Sequence, residues 1–233
     1  MKFTLRVRMA AEFVGTAFLV AAVIGSGIMG ERLAGGNVAI ALLANTIATG
    51  SSLVALICTF GSISGAHFNP AVTLADAIEG GVTWTEAAAY VTVQIVGGVV
   101  GTVAAHLMFS LPVFSISLHS RRGWALVLSE FIATFGLLSV IWGCSRLRSP
   151  VVPFAVGAYI TAAYWFTAST SFANPAVTIA RSLSDTFAGI QPSDVLPFIG
   201  AQVAGALAAT FLFRWLAPNS QLHADEVLMR HLR

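Results

Sequence analysis

Charged residues are scarce in this sequence. Only 9% of its 233 residues are Asp, Glu, Lys or Arg, whereas 57% are hydrophobic. A soluble domain has about 25% charged residues, so this chain lacks the polar surface that would dissolve it in water. The composition excludes a soluble fold and predicts an integral membrane protein in contact with the lipid bilayer. The formal net charge of +2, with the cations spread along the chain, also excludes nucleic acid as a partner.

Cysteine is scarce too, and the residue groupings of catalytic and metal sites are missing. The two cysteines, Cys58 and Cys144, are too few for a disulfide framework. His106, His119 and His223 are scattered without metal-ligand spacing. The sequence has no nucleophile elbow, phosphate-binding loop or pair of catalytic acids. It therefore excludes an enzyme and predicts no cofactor and no metal ion.

Long apolar runs are what the sequence has instead. A transmembrane helix needs about 20 predominantly apolar residues. Six stretches qualify: 9–29, 38–60, 84–109, 124–144, 151–170 and 195–216. The first of them is of full spanning length, which is too long for the core of a cleaved signal peptide. We expect an all-α membrane protein with six transmembrane helices.

One short motif occurs twice. It reads Asn69-Pro70-Ala71-Val72-Thr73 and again Asn174-Pro175-Ala176-Val177-Thr178. An asparagine that caps a helix, followed by a proline at the first helical position, is a helix start. The first of these helices ends near Ile78, before Glu79-Gly80-Gly81, and is roughly 15 Å long. This is half the thickness of a bilayer core, so both motifs predict half helices that enter the membrane without crossing it.

The two motifs belong to a duplication of the chain. Three spans, with a half helix after the second, form a first repeat in residues 1–120 and a second repeat in residues 121–217. A polar tail follows in residues 218–233. Glu12 and Glu130 lie at matching places in the first span of each repeat. An odd number of spans per repeat forces the two halves into opposite orientations, which is the inverted-repeat plan of channels and transporters.

The distribution of lysine and arginine predicts the orientation. With the N-terminus in the cytoplasm, inner segments contain Lys2, Arg6, Arg8, Arg146, Arg148, Arg214, Arg230 and Arg233, and outer segments contain Arg32, Arg121, Arg122 and Arg181. Cytoplasmic loops carry the excess of these cations. We therefore expect a multi-pass protein of the cell inner membrane with both termini and the tail in the cytoplasm.

The segments that precede the half helices predict a pore. Non-helical backbone at membrane depth is tolerated only where it is buried in protein or lines a wet cavity. Asn69 and Asn174 add amide donors where two positive helix ends meet, which opposes cations. The predicted function is passive conduction of small neutral solutes. The residues predicted to line the pore or its mouth are Ser64, Gly65, Ala66, His67, Phe172, Ala173 and Arg181.

The twin motifs, the paired glutamates and the six-span duplication resemble the major intrinsic protein superfamily of aquaporins and aquaglyceroporins over nearly the whole chain. The resemblance implies an aquaporin-like fold with two re-entrant half helices in an inverted repeat. It also implies a homotetramer with one pore per subunit. The family's pore constriction corresponds to Asn69, Pro70, Ala71, Asn174, Pro175 and Ala176.

The selectivity filter departs from the family pattern. The family usually has an arginine directly after the second Asn-Pro-Ala, and here that residue is Val177. By the family's spacing the other filter positions fall on Thr49, Ala162 and Ser171, so a wide filter without aromatic or cationic side chains is expected. The nearest resemblance is to aquaglyceroporins of bacterial arsenic-resistance operons. It implies arsenite and related metalloid hydroxides as solutes, with glycerol, water and methylated arsenicals as further candidates.

Arg181, one helical turn beyond Val177, has two interpretations. It is either a cation at the outer mouth of the pore or a surface group that pairs with Asp185, and the second is favoured.

Glu12 and Glu130 also have two interpretations. Ionisable groups inside spans are functional candidates by default, so they are either proton relays of a secondary transporter or acceptors for the backbone of the pore loops. The repeat symmetry favours the structural role. Three functions thus stay open: a neutral-solute channel, which is preferred, a water-selective aquaporin and a proton-coupled transporter.

Overall fold

Eight α-helices form the part of the chain that a computed structural model describes, residues 3–147 and 149–217. They are α1 (Leu5–Leu33), α2 (Val38–Ser64), α3 (Pro70–Ile78), α4 (Trp84–Met108), α5 (Trp124–Leu147), α6 (Val152–Phe166), α7 (Pro175–Arg181) and α8 (Pro192–Leu216). These residues contain no β-strand, so the prediction of an all-α membrane protein is confirmed. The predicted tail, 218–233, lies outside the described residues, as do Lys2 and Arg148.

Five of these helices are long and apolar enough to cross a membrane, namely α1, α2, α4, α5 and α8. The remaining predicted span, 151–170, is shorter than expected. Its helix, α6, has 15 residues and ends at Phe166, which gives a length of about 22 Å. The stretch Ser169-Thr170-Ser171 follows it in a non-helical conformation, because serine and threonine side chains compete with the backbone for hydrogen bonds.

The two half helices begin as predicted. The Asn69 side chain accepts a hydrogen bond from Ala71 N at 2.9 Å, and α3 follows from Pro70. Asn174 accepts bonds from Ala176 N at 3.0 Å and Val177 N at 3.3 Å at the start of α7. Each asparagine therefore satisfies backbone donors that the first turn of a helix leaves free.

The far end of α3 is anchored to the second half of the chain. Glu79, directly after α3, accepts hydrogen bonds from Arg146 at 2.6 Å and from Arg214 at 2.5 Å. Arg146 lies near the end of α5 and Arg214 near the end of α8. The short helix is therefore held at both ends, by its asparagine cap and by these ion pairs.

Glycines allow the long helices to cross closely. Helix α1 packs along α4, and α5 packs along α8. A Cβ on Gly97 of α4 would collide with the carbonyl oxygen of Phe13, and a Cβ on Gly205 of α8 would collide with that of Phe131. Small residues at such contacts are typical of membrane helices, where close van der Waals packing drives association.

Substituting Gly205 by leucine should therefore lower the stability of the folded protein, by about 1–3 kcal/mol. Gly200, on the same helix, has no atom within 4 Å of the place its Cβ would take, so Gly200→Leu is the matched control. Thermal unfolding of both purified variants in detergent measures the difference. Equal midpoints for the two variants would contradict this packing.

Candidate solute channel

A cavity of about 670 Å³ lies between the helices and extends from Asp76, near the end of α3, to Arg181 at the end of α7. Its lining combines apolar residues of α1, α2 and α6 with polar groups of the two non-helical segments. The predicted pore residues Ser64, Gly65, Ala66, His67, Phe172, Ala173 and Arg181 all contribute to this lining. We call this cavity the channel.

The two segments that enter the half helices have the same backbone shape. In each, three residues adopt positive φ: Gly65 (91°), Ala66 (50°) and Phe68 (49°) in the first, and Thr170 (62°), Ser171 (50°) and Ala173 (46°) in the second. Five of these six residues are not glycine, and left-handed backbone costs about 1–3 kcal/mol at a non-glycine residue. Such strain persists only where surrounding contacts hold it.

In the first repeat, the buried carboxylate of Glu12 provides these contacts. Its Oε1 accepts from the Ser64 hydroxyl at 2.6 Å and from His67 N at 3.0 Å. Its Oε2 accepts from Phe68 N at 2.7 Å and from the Gln94 amide at 2.9 Å. Both oxygens are therefore occupied by donors, three of which belong to the loop segment or to the end of α2.

The second repeat has the same arrangement. Glu130 accepts from Phe172 N and from Ala173 N, each at 2.9 Å, and from the Gln202 amide at 2.6 Å. The Gln202 amide also donates to the Thr178 hydroxyl at 2.9 Å. The contacts of both glutamates support the structural interpretation over the proton relay, because in the described part of the chain their donors are backbone N–H groups, amides and a serine hydroxyl, and none is a titratable group.

The asparagines connect the two repeats at the middle of the channel. Asn69 Nδ2 donates to the carbonyl oxygen of Ala173 at 2.8 Å, and Asn174 Nδ2 donates to that of Phe68 at 2.8 Å. Each asparagine amide thus binds the backbone of the opposite segment while its oxygen caps its own helix. Each amide also has a second N–H, and since both asparagines line the channel, this proton is the donor available to a solute.

The other four residues of the predicted constriction do not line the channel. Pro70, Ala71, Pro175 and Ala176 are buried and are absent from the cavity wall. Only the two asparagines of the predicted constriction therefore meet a solute, and the prolines and alanines pack behind them as the first residues of the half helices.

The filter prediction is wrong at Ala162. Thr49, Ser171 and Val177 line the channel as expected, but Ala162 is exposed on the outer side of α6. Tyr164, two residues and about 200° further round the helix, lines the channel instead, and its hydroxyl lies 3.3 Å from Thr49 Oγ1. The packing of α6 against α2 and α5 determines which face of the helix meets the channel. The filter therefore has an aromatic residue that the spacing did not indicate.

The favoured interpretation of Arg181 is also wrong. Its side chain is buried, donates from Nε to the carbonyl oxygen of Ala188, and stacks over the Phe172 ring with 3.4 Å between Cζ and the ring centroid. Asp185 makes its contacts elsewhere, accepting from Leu118 N at 2.9 Å. Arg181 is therefore a channel residue rather than half of a surface ion pair.

Asp76 is a channel residue that the sequence analysis missed. It lies 3.6 Å from His67 Nε2, and both residues line the channel. The other nitrogen of His67 is 3.1 Å from Thr73 Oγ1. Aligning the two motifs would have indicated this residue, since Asp76 in the first copy occupies the position of Arg181 in the second.

These features define a membrane channel with an aquaporin-like fold, in which two half helices meet head to head beside a polar passage. Comparison with known proteins agrees. The sequence profile of the major intrinsic protein family matches residues 2–171, and the chain belongs to this family. The protein is therefore a multi-pass membrane channel rather than an enzyme.

Three relatives illustrate the similarity. Aquaglyceroporin AqpS of Rhizobium meliloti (strain 1021) is 53% identical over 215 residues, which cover 92% of each chain. Aquaporin NIP1-4 of Oryza sativa subsp. japonica is 31% identical, over 91% of this chain and 78% of its own length. The X-ray structure of the aquaglyceroporin from Plasmodium falciparum superposes with a TM-score of 0.73 at 19% identity, covering 94% of this chain and 100% of that one. This last match supports the fold alone.

Glu130→Gln tests the role of the buried carboxylates. The substitution replaces one of the two acceptor oxygens by an NH2 group, which cannot accept the bond of Phe172 N or, at the other position, those of Ala173 N and Gln202. We therefore expect a loss of about 1–3 kcal/mol in stability. Thermal unfolding in detergent measures it. The exposed Glu31 provides the control, Glu31→Gln, which should unfold like the unsubstituted protein. A Glu130→Gln protein as stable as this control would show that the carboxylate does not support the loop.

Proposed function

We propose that this channel passively conducts small neutral polyhydroxylated solutes, including arsenite and related metalloid hydroxides, glycerol, methylated arsenicals and water. One observation carries the proposal: Val177 lies where the family's filter usually has an arginine, and it lines the channel. An isopropyl group there is apolar and shorter than a guanidinium. It leaves more space beside Ser171 than an arginine would.

The groups around Val177 suit a solute with several hydroxyls. Thr49, Tyr164 and Ser171 place three hydroxyl groups along the same wall, and a hydroxyl both donates and accepts hydrogen bonds. Beyond these three hydroxyl groups, Asn69 and Asn174 supply amide donors. A neutral polyol or metalloid hydroxide would replace its hydration shell by these partners, with the apolar Val177 against its less polar side.

The same geometry opposes the passage of cations. The N-termini of α3 and α7 meet at the asparagines, and each helix end is equivalent to about +0.5 charge. A proton or metal ion would meet this positive potential in a narrow, largely apolar passage. Neutral solutes are not repelled by this potential. The arrangement therefore favours a neutral-solute channel over a proton-coupled transporter.

The family also supports a proposal for the arrangement of the whole protein. We infer that residues 1–120 and 121–217 are two inverted repeats and that four subunits assemble with one pore each. Both termini would face the cytoplasm of a bacterial cell inner membrane. The cation distribution along the chain supports this orientation, and the name of the relative AqpS, an aquaglyceroporin, supports the solute class.

Val177→Arg tests the filter. A guanidinium would fill the space beside Ser171, so glycerol and arsenite permeability should fall about tenfold or more while water permeability falls less. Stopped-flow light scattering of proteoliposomes measures water and glycerol, and arsenic uptake measures arsenite. Val177→Leu is the control, because it adds one methylene without charge. Equal loss of water and glycerol permeability in Val177→Arg would remove the support for a filter at this position.

A further inference from the structure

The two half helices place opposite charges at the two ends of the channel. When Asn69 is aligned with Asn174, Asp76 matches Arg181 and His67 matches Phe172. All four side chains line the channel. In each repeat the charged residue lies against the ring of a residue near the start of the half helix. His67 Nε2 is 3.6 Å from Asp76 Oδ2, and Arg181 Cζ is 3.4 Å from the centroid of the Phe172 ring. The repeats thus share a geometry but differ in charge.

Only one of these charges has a group nearby that can neutralise it. The imidazole of His67 lies beside the Asp76 carboxylate and becomes a cation when protonated. Phe172 offers Arg181 only the face of an aromatic ring, and Arg121 stacks on the same ring with 4.9 Å between its Cζ and the ring centroid. Within residues 3–147 and 149–217, Arg181 forms no ion pair with a carboxylate. Two guanidinium groups thus stack on the Phe172 ring at this end of the channel.

The guanidinium of Arg181 also has unused donors. Its Nε binds the Ala188 carbonyl oxygen, and in the described part of the chain its two terminal nitrogens have no hydrogen-bond acceptor. The residue is 2% exposed. A buried cation is costly to leave without a partner, and a guanidinium matches a planar oxyanion by two parallel N–H bonds. Because Arg181 lines the channel, these terminal nitrogens are available to an oxyanion that enters from it.

Ser171 provides an independent indication of a ligand. It precedes Phe172, is 2% exposed and lines the channel, yet its hydroxyl has no hydrogen-bond partner within the described residues. Buried hydroxyls are normally bonded, and an exception calls for a specific cause. Ser171 directly precedes Phe172, whose ring Arg181 covers, and all three residues line the channel.

The nearby carboxylates are already engaged. Glu130 accepts the bonds of Phe172 N, Ala173 N and Gln202. Asp194 accepts from Arg121 N at 2.8 Å and lies 3.5 Å from Arg122 Nε. These contacts reduce the repulsion that an anion beside Arg181 would otherwise meet.

We propose that Arg181, Ser171 and the ring of Phe172 form a binding site for a small monovalent oxyanion of the carboxylate class at this end of the channel. The guanidinium holds the two carboxylate oxygens and the Ser171 hydroxyl donates a third bond. The Phe172 ring packs against the guanidinium and fixes its position. Because these residues line the passage, the bound anion obstructs neutral solutes. The site goes beyond the proposed function, since its ligand is charged and is held rather than conducted.

Formate is the probe for this site. Line broadening of ¹³C-formate on titration with the purified protein in nanodiscs at pH 7.5 should show saturable binding. Arg181→Met should weaken it about tenfold or more, and Ser171→Ala should weaken it less, since hydrogen bonds to charged groups contribute more than neutral ones. The control is Arg32→Met. Arg32 is exposed, donates to the Phe109 carbonyl oxygen and does not line the channel, so this variant should bind formate normally.

Arg181→Lys is a second variant, to be used if Arg181→Met does not fold. It keeps the positive charge but lacks the two parallel N–H donors of the guanidinium. We expect its formate affinity to be several-fold below that of the unsubstituted protein. Absence of saturable binding to the unsubstituted protein, or equal affinity in either Arg181 variant, would overturn the proposal. The readout does not depend on solute flux, so it separates this proposal from the proposed function. A second readout is slower water flux when formate replaces chloride at constant ionic strength.

Discussion

Two hydrogen bonds between the repeats hold the middle of the channel together. Asn69 donates to the carbonyl oxygen of Ala173, and Asn174 donates to that of Phe68. These carbonyls belong to non-helical backbone inside a membrane protein, which is tolerated only where it is buried in protein or lines a wet cavity. Because each asparagine also caps its own half helix, one pair of side chains joins the helix starts, the loop segments and the two repeats. The position of every other channel residue depends on this junction.

The loop segments keep their strained shape because each has a buried carboxylate behind it. Glu12 and Glu130 accept the backbone N–H groups on the far side of the segments, so the carbonyl groups are left to face the other way. This frame, formed by the two loop segments and the glutamates behind them, is nearly the same in both repeats. The side chains that the repeats place in the channel differ in charge, since Asp76 in one repeat corresponds to Arg181 in the other. The symmetric frame forms a passage, and the asymmetric side chains determine what enters it.

Local patterns predicted most of the frame. The asparagine caps, the first-position prolines and the stop after Ile78 involve residues adjacent in the chain, so the half helices were correct to the residue at their starts. The position of Ala162 could not be predicted in this way, because the face of α6 that meets the channel depends on its packing against α2 and α5. The predicted pairing of Arg181 with Asp185 was wrong for a related reason. Spacing of four residues made Asp185 an available partner, but the chain after α7 turns away and brings Asp185 to Leu118.

The most direct test of a passive channel is the rate of glycerol entry into proteoliposomes of the purified protein, with and without an imposed pH gradient. If the carboxylates of Glu12 and Glu130 only support the loop segments, the rate is the same under both conditions and no protons cross with the solute. A rate that rises with the inward proton gradient, accompanied by acidification of the vesicle interior, would contradict this account and identify the buried glutamates as a proton relay.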